Sequence, residues 1–117
     1  MRPPQFLLSL VAASFALAAP AFADPPAYVG TWASDLAQCK IPQDRQEAPL
    51  VFTAKGYDQY ETHCRFASAK LEDEQWKIKA NCTVEGNAAP YDFTLTVSGD
   101  TLTIADENGA NDLLRCR

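Results

Sequence analysis

From Tyr28 onward, β-branched and aromatic residues alternate with polar ones, and helical periodicity is weak. Such a pattern predicts strands rather than helices. The expected strands are Tyr28 to Trp32, Leu50 to Ala54, Tyr57 to about Lys70, Gln75 to Glu85, Tyr91 to Val97, Thr101 to Ala105 and Asp112 to Cys116. Ser34 is the expected cap of one helical turn over Asp35 to Cys39, which Pro42 terminates. The polar run Pro42 to Pro49 reads as a loop. Gly56 is expected to supply the positive φ of a tight hairpin, and Gly86 to Pro90 to break the chain between strands. Gly99-Asp100, with glycine first, suits a type II′ turn, and Glu107-Asn108-Gly109 marks the last reversal.

The alternation also sets a register. A hairpin around Glu72-Asp73-Glu74 places Cys64 opposite Cys82, Phe66 opposite Ala80 and Thr62 opposite Val84. Side chains alternate faces along a strand. Tyr60, Thr62, Cys64 and Phe66 then share an inner face with Trp76, Ile78, Ala80, Cys82 and Val84. Opposed residues have Cβ atoms about 4.5–5.5 Å apart, close to disulfide reach. Four cysteines, Cys39, Cys64, Cys82 and Cys116, allow three connectivities. The register favours Cys64–Cys82, leaving Cys39–Cys116 to tie the helical turn to the last strand. Metal ligation needs clustered spacing such as C-x-x-C, which is missing. A second hairpin around Gly99-Asp100 sets Phe93, Leu95 and Val97 on one face with Leu102 and Ile104.

Residues 1–23 change the setting. Arg2, the apolar run Phe6 to Ala19 and the A-x-A site Ala21-Phe22-Ala23 have the layout of a cleaved export signal of bacterial type. The expected product is a single domain over residues 24–117, periplasmic or secreted, with no membrane insertion once the signal is cut after Ala23. Losing Arg2 takes the charge from −5 to −6. An acidic domain lacks the basic footprint of a nucleic-acid binder. So small a core gives marginal stability, which disulfides offset in an oxidising compartment. The expected fold is therefore all-β: an antiparallel up-and-down barrel or tight sandwich of about seven to eight strands with one helical turn and two disulfides.

Gly30-Thr31-Trp32 at the first strand, with Arg115 near the end, resembles the Gly-x-Trp entry and late basic residue of the lipocalin-like (calycin) barrels. The resemblance implies that Trp32 plugs one end of a barrel and that Arg115 packs across it. The layout is similar to small periplasmic barrels that include bacterial metalloprotease inhibitors and lysozyme inhibitors.

One constellation carries candidate chemistry. Glu61, His63 and Arg65 are expected on the outward face of the third strand, across from Glu85, Thr83 and Asn81. A carboxylate beside the single histidine is the arrangement of a general base or a pH switch. No nucleophile accompanies it, because the cysteines are spent on disulfides and no serine lies in a G-x-S-x-G context. A solvated strand face is the simpler account. Asp106-Glu107-Asn108-Gly109 lacks the alternating ligands of a calcium loop. No cofactor is expected. The leading expectation is an exported binding protein with a protein partner, in the manner of a hydrolase inhibitor, displaying the loop Gln43 to Ala48 on a rigid scaffold. The alternative is a carrier of small apolar ligands at a barrel mouth near Trp32 and Trp76. An enzyme built on Glu61, His63 and Arg65 is the third.

Overall fold

The computed structural model describes Pro4 and residues 24–117. The expected export signal otherwise lies outside the described residues. Eight antiparallel strands close into a barrel in which each strand pairs with its sequence neighbours and β8 returns to β1. They are β1 (Gly30–Ala33), β2 (Leu50–Thr53), β3 (Gly56–Gln59), β4 (Thr62–Glu72), β5 (Gln75–Val84), β6 (Asn87–Ser98), β7 (Thr101–Asp106) and β8 (Gly109–Arg115). A 3₁₀ turn, Leu36–Lys40, lies between β1 and β2. Closure removes the exposed sheet edges that a small antiparallel sheet would otherwise carry.

Both disulfides form in the favoured pairing. Cys64 faces Cys82 across β4 and β5 with Cα atoms 4.0 Å apart, the close spacing of a non-hydrogen-bonded pair. Cys39 joins Cys116 with Cα atoms 5.5 Å apart. The expected pairs His63–Thr83, Arg65–Asn81 and Phe66–Ala80 also hold. So do the pairs across Gly99-Asp100, from Ser98–Thr101 to Leu95–Ile104. Gly99 has φ +58° while Asp100 does not, which fits type II′ rather than type I′.

The departures are local, and each has a cause. The expected long third strand is two strands, because the chain reverses at Tyr60-Glu61 and Gln59 pairs with Thr62. Tyr60 adopts φ +52°, which no glycine announces. Gly56 lies outside the positive-φ region, so its role is different from the one expected. A Cβ there would collide with the Cys64 carbonyl, so the small residue permits close approach of β3 to β4. The tip between β4 and β5 is a two-residue turn, with Asp73 at φ +49° and Glu74 at φ +65°. The third tip residue, Glu72, is paired with Gln75 instead, and a bulge between Phe66 and Ser68 absorbs the shift.

The segment from Gly86 to Pro90 does not break the sheet. Glu85-Gly86 is a tight turn and β6 starts at Asn87. Pro90 is tolerated because β6 meets β7 only from Thr94 onward, so the proline's outer edge has no partner strand. Val84, expected inside, is 41 % exposed at the mouth of the barrel. Asp35, not Ser34, caps the 3₁₀ turn, and its carboxylate accepts from the Gln38 N–H at 3.2 Å. The Gln38 side chain in turn accepts from the Ser34 N–H at 3.0 Å.

The barrel interior is filled by rings. Tyr28 lies edge-on to Phe52, Phe66 and Trp76, with centroids 6.1, 5.9 and 5.2 Å away. Phe93 contacts Tyr57, Phe66 and Tyr91. Ile78, Leu95, Leu102 and Leu113 complete the cluster around the Cys64–Cys82 bridge. Edge-to-face pairs add about 0.5–1.5 kcal/mol each beyond the area they bury.

Candidate functional site

An up-and-down barrel places alternate connections at the same end. One end carries the β2–β3, β4–β5 and β6–β7 turns, and Trp32 closes it. Trp32 is fully buried, and its indole N–H donates to the Tyr28 carbonyl at 2.8 Å. The Arg115 guanidinium lies 4.2 Å above the indole ring. Asp100, in the β6–β7 turn, holds the Arg115 Nε at 3.4 Å and the Arg117 Nη2 at 2.6 Å. Hydrogen bonding to Arg117, with the charge of both arginines, keeps the Asp100 carboxyl below the usual aspartate range.

The opposite end carries the loop between β1 and β2 and the turns at Tyr60-Glu61, Glu85-Gly86 and Glu107-Asn108. Its loop is the segment expected to be displayed, Gln43 to Ala48. Two backbone hydrogen bonds fold it into successive turns, Arg45 N–H to Pro42 and Ala48 N–H to Arg45. The Gln43 side chain then fastens it. Its Nε2 donates to the Pro49 carbonyl at 2.8 Å, and its Oε1 accepts from the Tyr60 N–H at 3.2 Å. Gln59 Nε2 donates to the Ala48 carbonyl at 2.9 Å. Ala48 and Pro49 are buried, whereas Asp44, Arg45, Gln46 and Glu47 stand in solvent. The Glu85 N–H donates to the Glu61 carbonyl at 3.1 Å, which joins the next two turns.

The charge at this end is one-sided. Asp44, Glu47, Glu61, Glu85 and Glu107 are all exposed in its turns and in the Gln43 to Ala48 loop, where Arg45 is the one base. Five of the chain's fifteen carboxylates therefore stand at the rim opposite Trp32.

The expected trio of Glu61, His63 and Arg65 is only partly assembled. His63 and Arg65 share the outer face of β4, but Glu61 sits in the turn. The carboxylate beside His63 is Asp58, its cross-strand neighbour on β3, with Nδ1 to Oδ1 at 2.7 Å. That pair is 58 % and 57 % exposed, so solvent screens it. Asp58 escaped sequence reasoning because it becomes a neighbour only once the chain turns at Tyr60.

A second hydrogen-bonded carboxylate lies where β6 diverges from β7. The Tyr91 hydroxyl donates to Asp106 Oδ2 at 2.6 Å. Burial, and then the bond to Asp106, push the Tyr91 phenol far above its ordinary range. The same bond, with those from the Asn108 and Gly109 backbones, holds Asp106 below the usual carboxylate range. Among the described residues no group of three metal-ligating side chains comes together. Compared with known protein families, curated proteins and solved structures, the chain matches none.

Proposed function

We propose that this chain is an exported binding protein of the bacterial cell envelope that engages a protein partner through the rim opposite Trp32, acting as a hydrolase inhibitor. One observation carries the reading: an acidic loop, Asp44 to Glu47, is held out on a closed barrel by the Gln43 side chain. A loop already fixed in one shape loses little conformational entropy on binding. The neighbouring Glu61 and Glu85 extend the negative field and suit it to a basic cleft. The aromatic filling of the interior supports this reading over a carrier that would need an internal cavity. The exposure of His63 and Asp58 supports a binder over an enzyme. The Gly30-x-Trp32 entry with Arg115 across the indole supports kinship with the lipocalin-like barrels.

Titrating the purified protein into a panel of lysozymes and metalloproteases tests the proposal. Inhibition is expected against an enzyme with a basic cleft, weakening as salt rises. Reversing charge at Asp44 and Glu47 should reduce it about tenfold or more. Flat curves throughout the panel, or inhibition indifferent to those reversals, would remove it.

A further inference from the structure

A second surface lies on the barrel's flank, away from the acidic rim. The 3₁₀ turn Leu36–Lys40 has no buried residue. It is pinned beside β1 and β8 by the Cys39–Cys116 bridge. The space between turn and barrel is an open cleft of about 560 Å³ lined by that bridge, Thr31, Leu36 and Leu114. Leu36 is 62 % exposed and Leu114 39 %, two of the four large apolar side chains that stand out in solvent among the described residues. Their meeting in one concavity is what separates them from scattered surface leucines.

The rim of this cleft reverses the charge of the domain. Lys40, Arg115 and Arg117 line it against Asp100 alone. The two guanidiniums share that single carboxylate, at 3.4 and 2.6 Å, and keep donors to spare. Lys40 takes part in none of the ion pairs among the described residues. An apolar floor under surplus positive charge, in an otherwise acidic protein, selects a molecule with an apolar body and one anionic end. The volume lies within the range of about 300–1,000 Å³ usual for small-ligand sites.

We propose that this flank cleft binds a soluble amphiphilic carboxylate of the fatty-acid type, its chain against Leu36, Leu114 and the Cys39–Cys116 bridge and its head group at Lys40 and Arg117. The site is outside the barrel, so it is compatible with a filled interior. It is also independent of the rim proposed to engage a protein.

The test uses protein purified after expression of the full chain, disulfides intact. Dodecanoate, dodecanol and dodecyltrimethylammonium are titrated separately, following the methyl NMR signals of Leu36 and Leu114 and the tryptophan fluorescence. Dodecanoate should move both leucines, leave the tryptophans undisturbed and bind at least about tenfold more tightly than the alcohol. Lys40→Glu and Arg117→Glu, both at exposed positions, should each weaken it by about tenfold with unchanged circular dichroism. Equal binding of all three probes would overturn the proposal, as would no binding of dodecanoate below its micellar concentration. Quenching of tryptophan without movement of Leu36 would overturn it too, by placing the ligand inside the barrel. Partition onto phosphatidylglycerol vesicles without dodecanoate binding would replace it with a membrane-surface contact.

Discussion

The Gln43 side-chain oxygen accepts the backbone N–H of Tyr60 at 3.2 Å, joining a loop to a turn seventeen residues away. Its nitrogen donates to Pro49 at 2.8 Å, so one side chain organises the acidic rim. Gln43→Ala removes both bonds. Loss of about 1–2 kcal/mol of stability is expected, since each net hydrogen bond contributes about 0.5–1.5 kcal/mol. Amide hydrogen exchange at Tyr60 should accelerate far more than exchange in β5 or β6. Uniform acceleration across the barrel would mean that Gln43 has no local role.

Arg115 should matter through Trp32. The guanidinium covers the indole at 4.2 Å, and its side chain is only 28 % exposed. Arg115→Ala uncovers the ring and loses both the cation–π contact and the packing of the aliphatic stem. A cost of about 1–2 kcal/mol is expected, with tryptophan emission shifted to longer wavelength. Arg115→Lys should recover part of the stability. An unchanged emission spectrum in Arg115→Ala would count against the capping role.

The two disulfides should fail differently. The Cys39–Cys116 bridge closes a separation of 77 residues and Cys64–Cys82 one of 18. The chain-entropy model gives about 4.5 and about 3 kcal/mol respectively. Cys64 and Cys82 are buried in the core, however, so replacing both with alanine adds a cavity cost. Replacing Cys39 and Cys116 should free the 3₁₀ turn while β4 to β6 stay protected from exchange. Denaturant unfolding of both double variants, with exchange mapping, checks the contrast.

Gly56→Ala should be severe for so small a change. The new Cβ meets backbone at Cys64 rather than a side chain that could move aside. Overpacking of this kind costs about 1–3 kcal/mol. A variant as stable as the parent would show that β3 can shift away from β4.

Acid and alkali should act on the same Tyr91–Asp106 bond, each through a different partner. Asp106 and Asp100 have folded values below the ordinary 3.8, so the stability they add is present above that pH. It is lost as pH falls through the lower folded values. Tyr28, Tyr57 and Tyr91 are raised above 10.0 by burial, most strongly Tyr91. Their contribution is full below pH 10.0 and is lost as pH rises through the elevated folded values. Unfolding followed across both ranges checks this, and Tyr91→Phe should raise the Asp106 titration toward the ordinary carboxylate value.

Much of the fold was legible in the sequence. Alternation of apolar and polar residues marked the strands, because a half-buried sheet forces a period of two. The cysteine spacing selected the register of β4 on β5, since only directly opposed residues can be bridged. Gly99 marked its own turn. What stayed hidden has a common cause. The turn at Tyr60 has no glycine and is held by Gln43 from a distant loop, so its stabilising bond is not local. Ala67 at the bulge and Pro90 in β6 depend on where neighbouring strands stop. The pairing of His63 with Asp58 and the gathering of carboxylates at one rim follow from those same reversals.

The sequence by itself thus determined the strand pattern, the disulfide-compatible register and the acidic balance, all of which rest on local periodicity, spacing or composition. Closure of β8 onto β1 and the placing of Leu36 and Leu114 in one cleft were decided only in the tertiary structure. Those features join residues brought together by strand pairing and by the Cys39–Cys116 bridge, and no local pattern encodes such a meeting.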